Sequence, residues 1–315
     1  MAKKRAVVRK KSIRPATCRL CRSAKAKFLL SVNQPKLGIL SIVKCPDCGL
    51  IYVHPQPSRA QLDKIYSEDY FLPSSEQFGY ASYFSGNAAA AYEKGKALAA
   101  QLAARRGSGR ALEIGCATGH FLQGFKENSG WDVQGVEISR WAADYARTHF
   151  HLKVFNGTLQ EAAYPKESWD VICLSDVLEH VLDPIGFLEE ARRILKKDGK
   201  IYAGVPRAGS ELLPFLRAWE KGSIKIMRPA HLFFFTPGSI KKLFQKAGLE
   251  ITALHYAALR SGLRDRGMMS NRLTFYRGPG LWPKAAYSGL RKILYGVCDR
   301  LSFGHELEII ARRRR

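Results

Sequence analysis

Four cysteines near the start of the chain fall into two Cys-x-x-Cys turns, Cys18-Arg-Leu-Cys21 and Cys45-Pro-Asp-Cys48, with 23 residues between them. Each turn aims two thiolates at one point, so a pair of turns offers four sulfurs to a tetrahedral cation and leaves no open coordination position. Gly49 follows the second pair, where a tight knuckle needs a positive φ. Two disulfides, or a redox pair, are the rival uses of the same residues. The basic start MAKKRAVVRKKSIR is followed by no apolar run or small-residue cleavage site, so no secretory signal is expected and disulfides would sit in the wrong compartment. A redox pair has no need of a matching second pair. A structural Zn2+ on Cys18, Cys21, Cys45 and Cys48 is therefore expected, holding a segment too short to build its own core. His54 is either a substitute ligand or a strand-end residue, and Cys116, Cys173 and Cys298 stand alone.

A second centre of chemistry is Glu113-Ile-Gly115-Cys116-Ala117-Thr118-Gly119. Glycines between a strand and a helix let a ligand approach the backbone and let the helix start close to the sheet. Glu137 ends the next strand-like run, 22 residues after Gly115. An acid about 20 residues on can grip a ribose diol, because one carboxylate accepts from both hydroxyls. Glu113 occupies the first position of what would be G-x-G-x-x-G, and the third glycine is missing, which argues against a dinucleotide. No G-x-x-x-x-G-K-[ST] occurs, which argues against a nucleoside triphosphate. An adenosine-type ligand without a pyrophosphate fits best.

The elements that must position these residues follow from the apolar pattern. Strands are expected at Arg110–Ile114, Asp132–Glu137, Leu152–Phe155, Trp169–Leu174, Lys200–Val205, Leu249–His255 and Leu307–Ala311. Helices are expected at His120–Glu127, Arg140–Phe150, Pro184–Lys196 and Gly238–Lys246. Asp183-Pro184 and Thr236-Pro237 each place an oxygen-bearing cap before a proline at the first helical position. Alternating strands and helices imply an α/β, doubly wound, parallel Rossmann-like sheet. The expected organisation is a basic tail at 1–16, a zinc-ribbon head at 17–57, a helical linker at 58–108 and an α/β domain at 109–315. The linker comprises a helix at Arg59–Tyr66, capped by Ser58, and an alanine-rich helix at Ser85–Arg106, broken by Gly107-Ser-Gly109.

Glu113-x-Gly115-x-x-x-Gly119 with Glu137 resembles the cofactor signature of class I S-adenosylmethionine-dependent methyltransferases. The resemblance extends through Trp169-Asp-Val-Ile172, Ser175-Asp-Val-Leu-Glu-His-Val-Leu-Asp-Pro184 and Ile194-Leu-Lys-Lys-Asp-Gly-Lys200. His231-Leu-Phe-Phe-Phe-Thr-Pro237 with Leu243-Phe-x-x-Ala-Gly-Leu249 is similar to the subgroup that contains the ubiquinone-biosynthesis O-methyltransferases. Cys45-Pro-Asp-Cys-Gly-Leu-Ile-Tyr-Val-His-Pro-Gln-Pro57 resembles the zinc-binding head of bacterial methyltransferases that include sugar methylases. The resemblance implies a seven-stranded methyltransferase sheet whose last strand is antiparallel. It implies S-adenosylmethionine as cofactor, bound by Glu113, Gly115, Cys116, Gly119, Glu137, Ile138, Thr158, Leu159 and Asp176. Gly115 and Gly119 would line its amino-acid end, Glu137 the ribose and Ile138 the adenine face. Many relatives have Gly-Asp where this chain has Gly157-Thr158, so a threonine hydroxyl would replace the carboxylate at the adenine amino group.

Methyl transfer from a sulfonium is an in-line displacement for which the protein supplies alignment and, with a hydroxyl acceptor, a base. Asp176, His180 and His231 are the catalytic candidates. If the turn after Asp176 is helical, its carboxylate and the His180 imidazole share a face.

The net charge of +24 is unevenly placed. Residues 1–14 hold seven basic side chains and no acid, residues 312–315 are four arginines, and 207–300 holds 17 basic against 5 acidic side chains. The insert at about 256–304, with Arg264, Arg266, Arg291 and Lys292 and a helix-like run from Lys284 to Leu301, should leave the sheet on the cofactor side. Such a lid favours an anionic acceptor, a nucleotide sugar or a lipid-linked glycan. The function read from the residues is methyl transfer to a small-molecule or saccharide acceptor in the cytoplasm, with the basic regions suited to the inner membrane face. The alternatives are an RNA methyltransferase whose zinc head and tails hold nucleic acid, and a non-catalytic cofactor-binding regulator.

Overall fold

The computed structural model describes residues 17–34, 36–65, 88–103, 107–224, 231–257 and 306–314. The basic tail, the insert from residue 258 with its four named basic residues and the Lys284–Leu301 run, and Cys298 lie outside the described residues.

Runs that are buried at nearly every position form the centre of the larger sheet. β4 (Arg110–Ile114) and β7 (Trp169–Ser175) are buried along almost their whole length, as parallel strands covered by helices on both faces must be. They lie beside β5 (Asp132–Glu137), β6 (Lys153–Asn156) and β8 (Leu195–Pro206). With β10 (Leu249–Ala257) and β11 (Glu306–Arg313), the seven strands take the order β10-β11-β8-β7-β4-β5-β6. Only β11 runs against its neighbours. The strand order reverses between β4 and β7, which opens a crevice at the carboxyl ends of those strands.

The helices start where their caps place them. Ser139 accepts from Ala142 N ahead of α4 (Arg140–Phe150), and Asp183 accepts from Gly186 N ahead of α5 (Pro184–Ile194). Thr236 and Ser239 form a reciprocal cap on α7 (Pro237–Lys246). α5 stops at Ile194 rather than at Lys196, and β8 starts at Leu195 rather than at Lys200. A register shift opposite Trp169–Val171 takes the polar Lys196–Gly199 turn into the strand as an irregularity. β6 is displaced by one residue from the expected Leu152–Phe155. Residues after β8 form a helix that the sequence pattern had left unassigned, α6 (Ala208–Glu220), which carries Pro214 inside it.

α1 (Arg59–Ile65) follows the head, and α2 (Ala88–Ala103) lies within the expected alanine-rich run. α2 packs backbone against backbone on α3 (His120–Glu127). A Cβ on Gly95 would lie 2.0 Å from Phe121 O, and one on Gly124 would lie 2.1 Å from Tyr92 O. Tyr92 Oη closes the contact by donating to Glu127 at 2.7 Å.

The head is a small antiparallel sheet of β1 (Lys27–Gln34), β2 (Gly38–Lys44) and β3 (Ile51–His54). Its fourth strand, β9 (Phe233–Phe234), comes from the far side of the chain, with Tyr52 opposite Phe233 and Ile51 opposite Phe234. Leu20, Leu50 and Tyr52 share one core with Leu112, Phe233 and Leu243.

Candidate functional site

At the end of β4 the chain turns through Gly115 (φ 73), Ala117 (φ 48) and Gly119 (φ 82) into α3. A Cβ on Gly115 would lie 2.6 Å from Val177 Cγ2, so glycine is needed there for space as well as for backbone conformation. Gly115 N and Cys116 N donate to Val136 O at 2.8 and 3.2 Å, fixing the loop to β5. Glu137 then joins the two loops: its Oε2 accepts from Ala117 N and its Oε1 from Ser139 N, each at 2.8 Å. Each oxygen keeps a lone pair for a hydroxyl donor. Burial raises the Glu137 carboxyl above the usual carboxylate range, against the pull of its backbone hydrogen bonds. Next to it, Ile138 is apolar yet 46% exposed, an open face for a flat ring.

Glu113 is buried beneath this loop, and its Oε2 has no hydrogen-bond partner among the described residues. Burial, then the charge of Glu137, pushes it well above the carboxylate range. An orphaned buried oxygen of this kind is satisfied by an amino or hydroxyl donor. Cys116 offers only its backbone: its sulfur fills the space where a Gly135 side chain would sit. Leu159 is buried in the core. Thr158 N donates to Glu161 Oε2 at 2.7 Å, and Glu161 N donates back to the Thr158 hydroxyl at 3.2 Å. That reciprocal cap leaves the hydroxyl one lone pair and its own proton.

Beyond β7 the second half of the site begins at Asp176, which takes a left-handed φ of 55. Such a conformation costs a non-glycine residue roughly 1 kcal/mol and persists only where the surroundings enforce it. Asp176 N donates to Gly204 O at 3.0 Å. Its carboxylate keeps solvent-accessible surface. Desolvation nevertheless raises it, with Lys94 and His231 acting in the opposite direction. The stretch from Asp176 to His180 is not helical, so the condition for the two side chains to share a helix face is not met. The left-handed residue interrupts the stretch, and His180 N donates to Val177 O at 2.9 Å instead.

His231 arrives from the other direction, just before β9, and meets His180 edge to face with ring centroids 4.7 Å apart. Its Nδ1 is hydrogen-bonded to Oε1 of Glu211 in the first turn of α6. Glu179 is buried, and neither of its carboxyl oxygens has a partner among the described residues. Burial, then Asp176, pushes it well above the carboxylate range. Its carbonyl accepts from Leu232 N at 2.7 Å and from Phe233 N at 3.2 Å, which anchors the His231 segment. Glu179, His180 and His231 each place a ligating atom within 4.8 Å of the other two, a donor set able to hold a divalent cation. Glu306 completes the rim, with Lys94 Nζ at 3.6 Å.

The structure thus brings Asp176, His180 and His231 to one mouth, and Glu113, Gly115, Gly119, Glu137 and Ile138 to the neighbouring strand ends. Glu179, Glu211, Glu306 and Lys94 join the mouth without having been expected there. Only Glu179 carried a signal, its place beside His180 in the Glu-His dipeptide.

In the head, Cys18 and Cys48 sulfurs lie 3.5 Å apart, as do those of Cys21 and Cys45, and all four lie within 4.8 Å of one another. A disulfide requires about 2.05 Å, whereas sulfurs at about 2.3 Å from one tetrahedral zinc lie roughly 3.8 Å apart. Burial pushes the Cys18 thiol up to about 11 and that of Cys48 higher still. Four sulfurs at this spacing are a donor set that fits zinc. Gly49 has φ 79, and its N–H donates to Cys45 O at 3.0 Å, the expected knuckle. His54 ends β3 and stands outside this cluster.

A family model described as a methyltransferase domain matches residues 87–254. A ubiquinone biosynthesis O-methyltransferase of Aliivibrio fischeri is 24% identical over 162 residues, covering 48% of this chain and 69% of that protein. An uncharacterized protein of Methanocaldococcus jannaschii is 35% identical over 97 residues, 31% of this chain and 44% of that protein. Among solved structures, the cyclase SpnF superposes with a TM-score of 0.51 and 17% identity, covering 82% of this chain and 98% of its own, a likeness of fold alone.

Proposed function

Because the chain belongs to the methyltransferase-domain family, we propose that it binds S-adenosylmethionine across the ends of β4 and β5. We propose further that it methylates a hydroxyl of a small-molecule or saccharide acceptor. The observation that carries the reading is Glu137, a buried carboxylate held by Ala117 N and Ser139 N beside the exposed Ile138. It offers two acceptor lone pairs for a ribose diol next to an apolar face for adenine.

When bound, the sulfonium supplies the methyl group and leaves as a neutral thioether. The turn at Gly115–Gly119 and the Glu113 carboxyl would hold its amino-acid end, and Thr158 the adenine amino group. Asp176 and the two imidazoles then face the acceptor, and their part is to orient it and take its proton.

The case for an anionic acceptor rests on the insert at 256–304. The described mouth carries Asp176, Glu179, Glu211 and Glu306 against Lys94, which favours a neutral hydroxyl at the reacting end and places any phosphate away from it. Basic tails suit an anionic membrane face, and among the described residues no helix is long and apolar enough to cross a membrane. The four cysteines would hold a structural Zn2+.

Methyl-labelled S-adenosylmethionine, incubated with the protein and fractionated cell extract, tests the reading. Label should enter small metabolites or glycolipid. Label in RNA would turn the assignment to nucleic acid, and cofactor binding with no labelled fraction would leave a regulator.

A further inference from the structure

Glu211 has no sequence signature, yet it makes a close contact with a proton-active side chain. We infer that Glu211 is a positioning residue that holds His231 with its proton on Nδ1, so that Nε2 is the atom that takes the acceptor's hydroxyl proton. The inference rests on the proposed reading of the cleft beyond β7 as the acceptor site.

A carboxylate can only accept, so a hydrogen bond between Glu211 Oε1 and His231 Nδ1 places the ring proton on Nδ1 and leaves Nε2 a lone pair. Both side chains are shielded, 17% and 12% exposed, so water competes little for the bond. The second Glu211 oxygen is buried with no partner among the described residues, so the imidazole is the carboxylate's only described hydrogen-bond partner. Glu211 also sits in the first turn of α6, where the exposed N–H groups favour a negative charge.

Both residues stand on backbone pinned to the same place. Ala208 N donates to Phe235 O at 2.9 Å, and Arg207 bridges Phe235, which fixes the start of α6 to the segment that carries His231. From the other side, Val53 N of the head donates to Leu232 O at 2.9 Å. Around the His231 ring stand Glu211 of α6, His180 and Glu179 of the turn after β7 and Phe234 of β9, with Asp176 near enough to act on it by charge.

In the step this arrangement serves, the acceptor oxygen bonds to the methyl carbon while the carbon–sulfur bond opens and its electron pair stays on sulfur. The hydroxyl proton passes to His231 Nε2, and the positive charge formed on the ring is balanced by Glu211.

The test uses the full-length protein with 15N-labelled histidine. His231, assigned through a His231→Gln spectrum, should show the Nδ1–H tautomer. Glu211→Ala should lose it, and Glu211→Asp should restore it at least in part. In the extract assay, Glu211→Ala should lower methyl-label transfer by roughly 10- to 100-fold while calorimetric affinity for S-adenosylmethionine stays as in wild type. An Nε2–H tautomer in wild type would overturn the inference, as would undiminished label transfer in Glu211→Ala. If S-adenosylmethionine fails to bind while the Nδ1–H tautomer persists, the proposed function falls and the Glu211–His231 contact stands.

Discussion

Replacing Glu306 with glutamine should remove a loss of stability that the wild-type chain suffers as pH rises. The Glu306 side chain is 18% exposed at the start of β11, against Gly204 and within reach of Lys94. Burial raises it from 4.5 to about 7, with Asp176 and Glu308 adding to the rise and Lys94 opposing it. Between those two values the folded chain keeps a proton that the unfolded chain has released, so stability falls as pH rises through this window. At about 1.4 kcal/mol per unit, a shift of roughly 2.5 units amounts to some 3 kcal/mol, fully felt above pH 7. The opposing pull of the half-exposed Lys94 is already contained in that shift. Glu306→Gln should therefore match wild type near pH 4.5 and exceed it by about 3 kcal/mol at pH 8. Denaturant unfolding at half-unit pH intervals reads this difference directly. Two curves separated by a constant offset from pH 5 to 8 would refute the reasoning.

Other perturbations reach the remaining parts of the account. Glu137→Gln turns one acceptor oxygen into a donor and should weaken S-adenosylmethionine binding by roughly 10- to 100-fold in calorimetry, whereas Glu137→Ala also strands Ala117 N and Ser139 N and should cost about 2–5 kcal/mol of stability. Wild-type affinity in Glu137→Gln would remove the ribose assignment. The purified protein should contain about one zinc by elemental analysis, and Cys45→Ser should lose it. Because Val53 N of the head donates to Leu232 O, amide exchange at Val53 should then quicken. Absent zinc with the four thiols paired as disulfides would contradict this. Gly124→Val places a side chain 2.1 Å from Tyr92 O and should force α2 off α3, at a cost of about 1–3 kcal/mol. Unfolding free energy equal to wild type would show that the two helices do not depend on this contact.

The larger sheet was legible because short, mainly apolar runs alternate with helical ones and because two helix starts carry an acid or hydroxyl cap followed by proline. The placement of Gly115, Gly119 and Glu137 at the strand ends was legible for a related reason: it depends on local spacing. What was missed depends on distance. β9 is two residues long and becomes a strand only by meeting β3 from the other end of the chain. α6 carries an internal proline and a mixed surface, so its pattern did not stand out, and without α6 nothing brings Glu211 to His231. The left-handed turn at Asp176 had no glycine to announce it, so a helical spacing to His180 stayed open where the backbone in fact breaks. Cys116 sits in the right motif, but its side chain faces the core because the backbone, not the sulfur, borders the turn.

The most direct test of the central claim is a calorimetric titration of the wild-type protein with S-adenosylmethionine, run in parallel with NAD. Saturable binding at one site per chain is expected for S-adenosylmethionine and none for NAD, since the loop after β4 lacks the third glycine of a dinucleotide turn. No binding of S-adenosylmethionine by folded protein, or binding of NAD in its place, would contradict the claim.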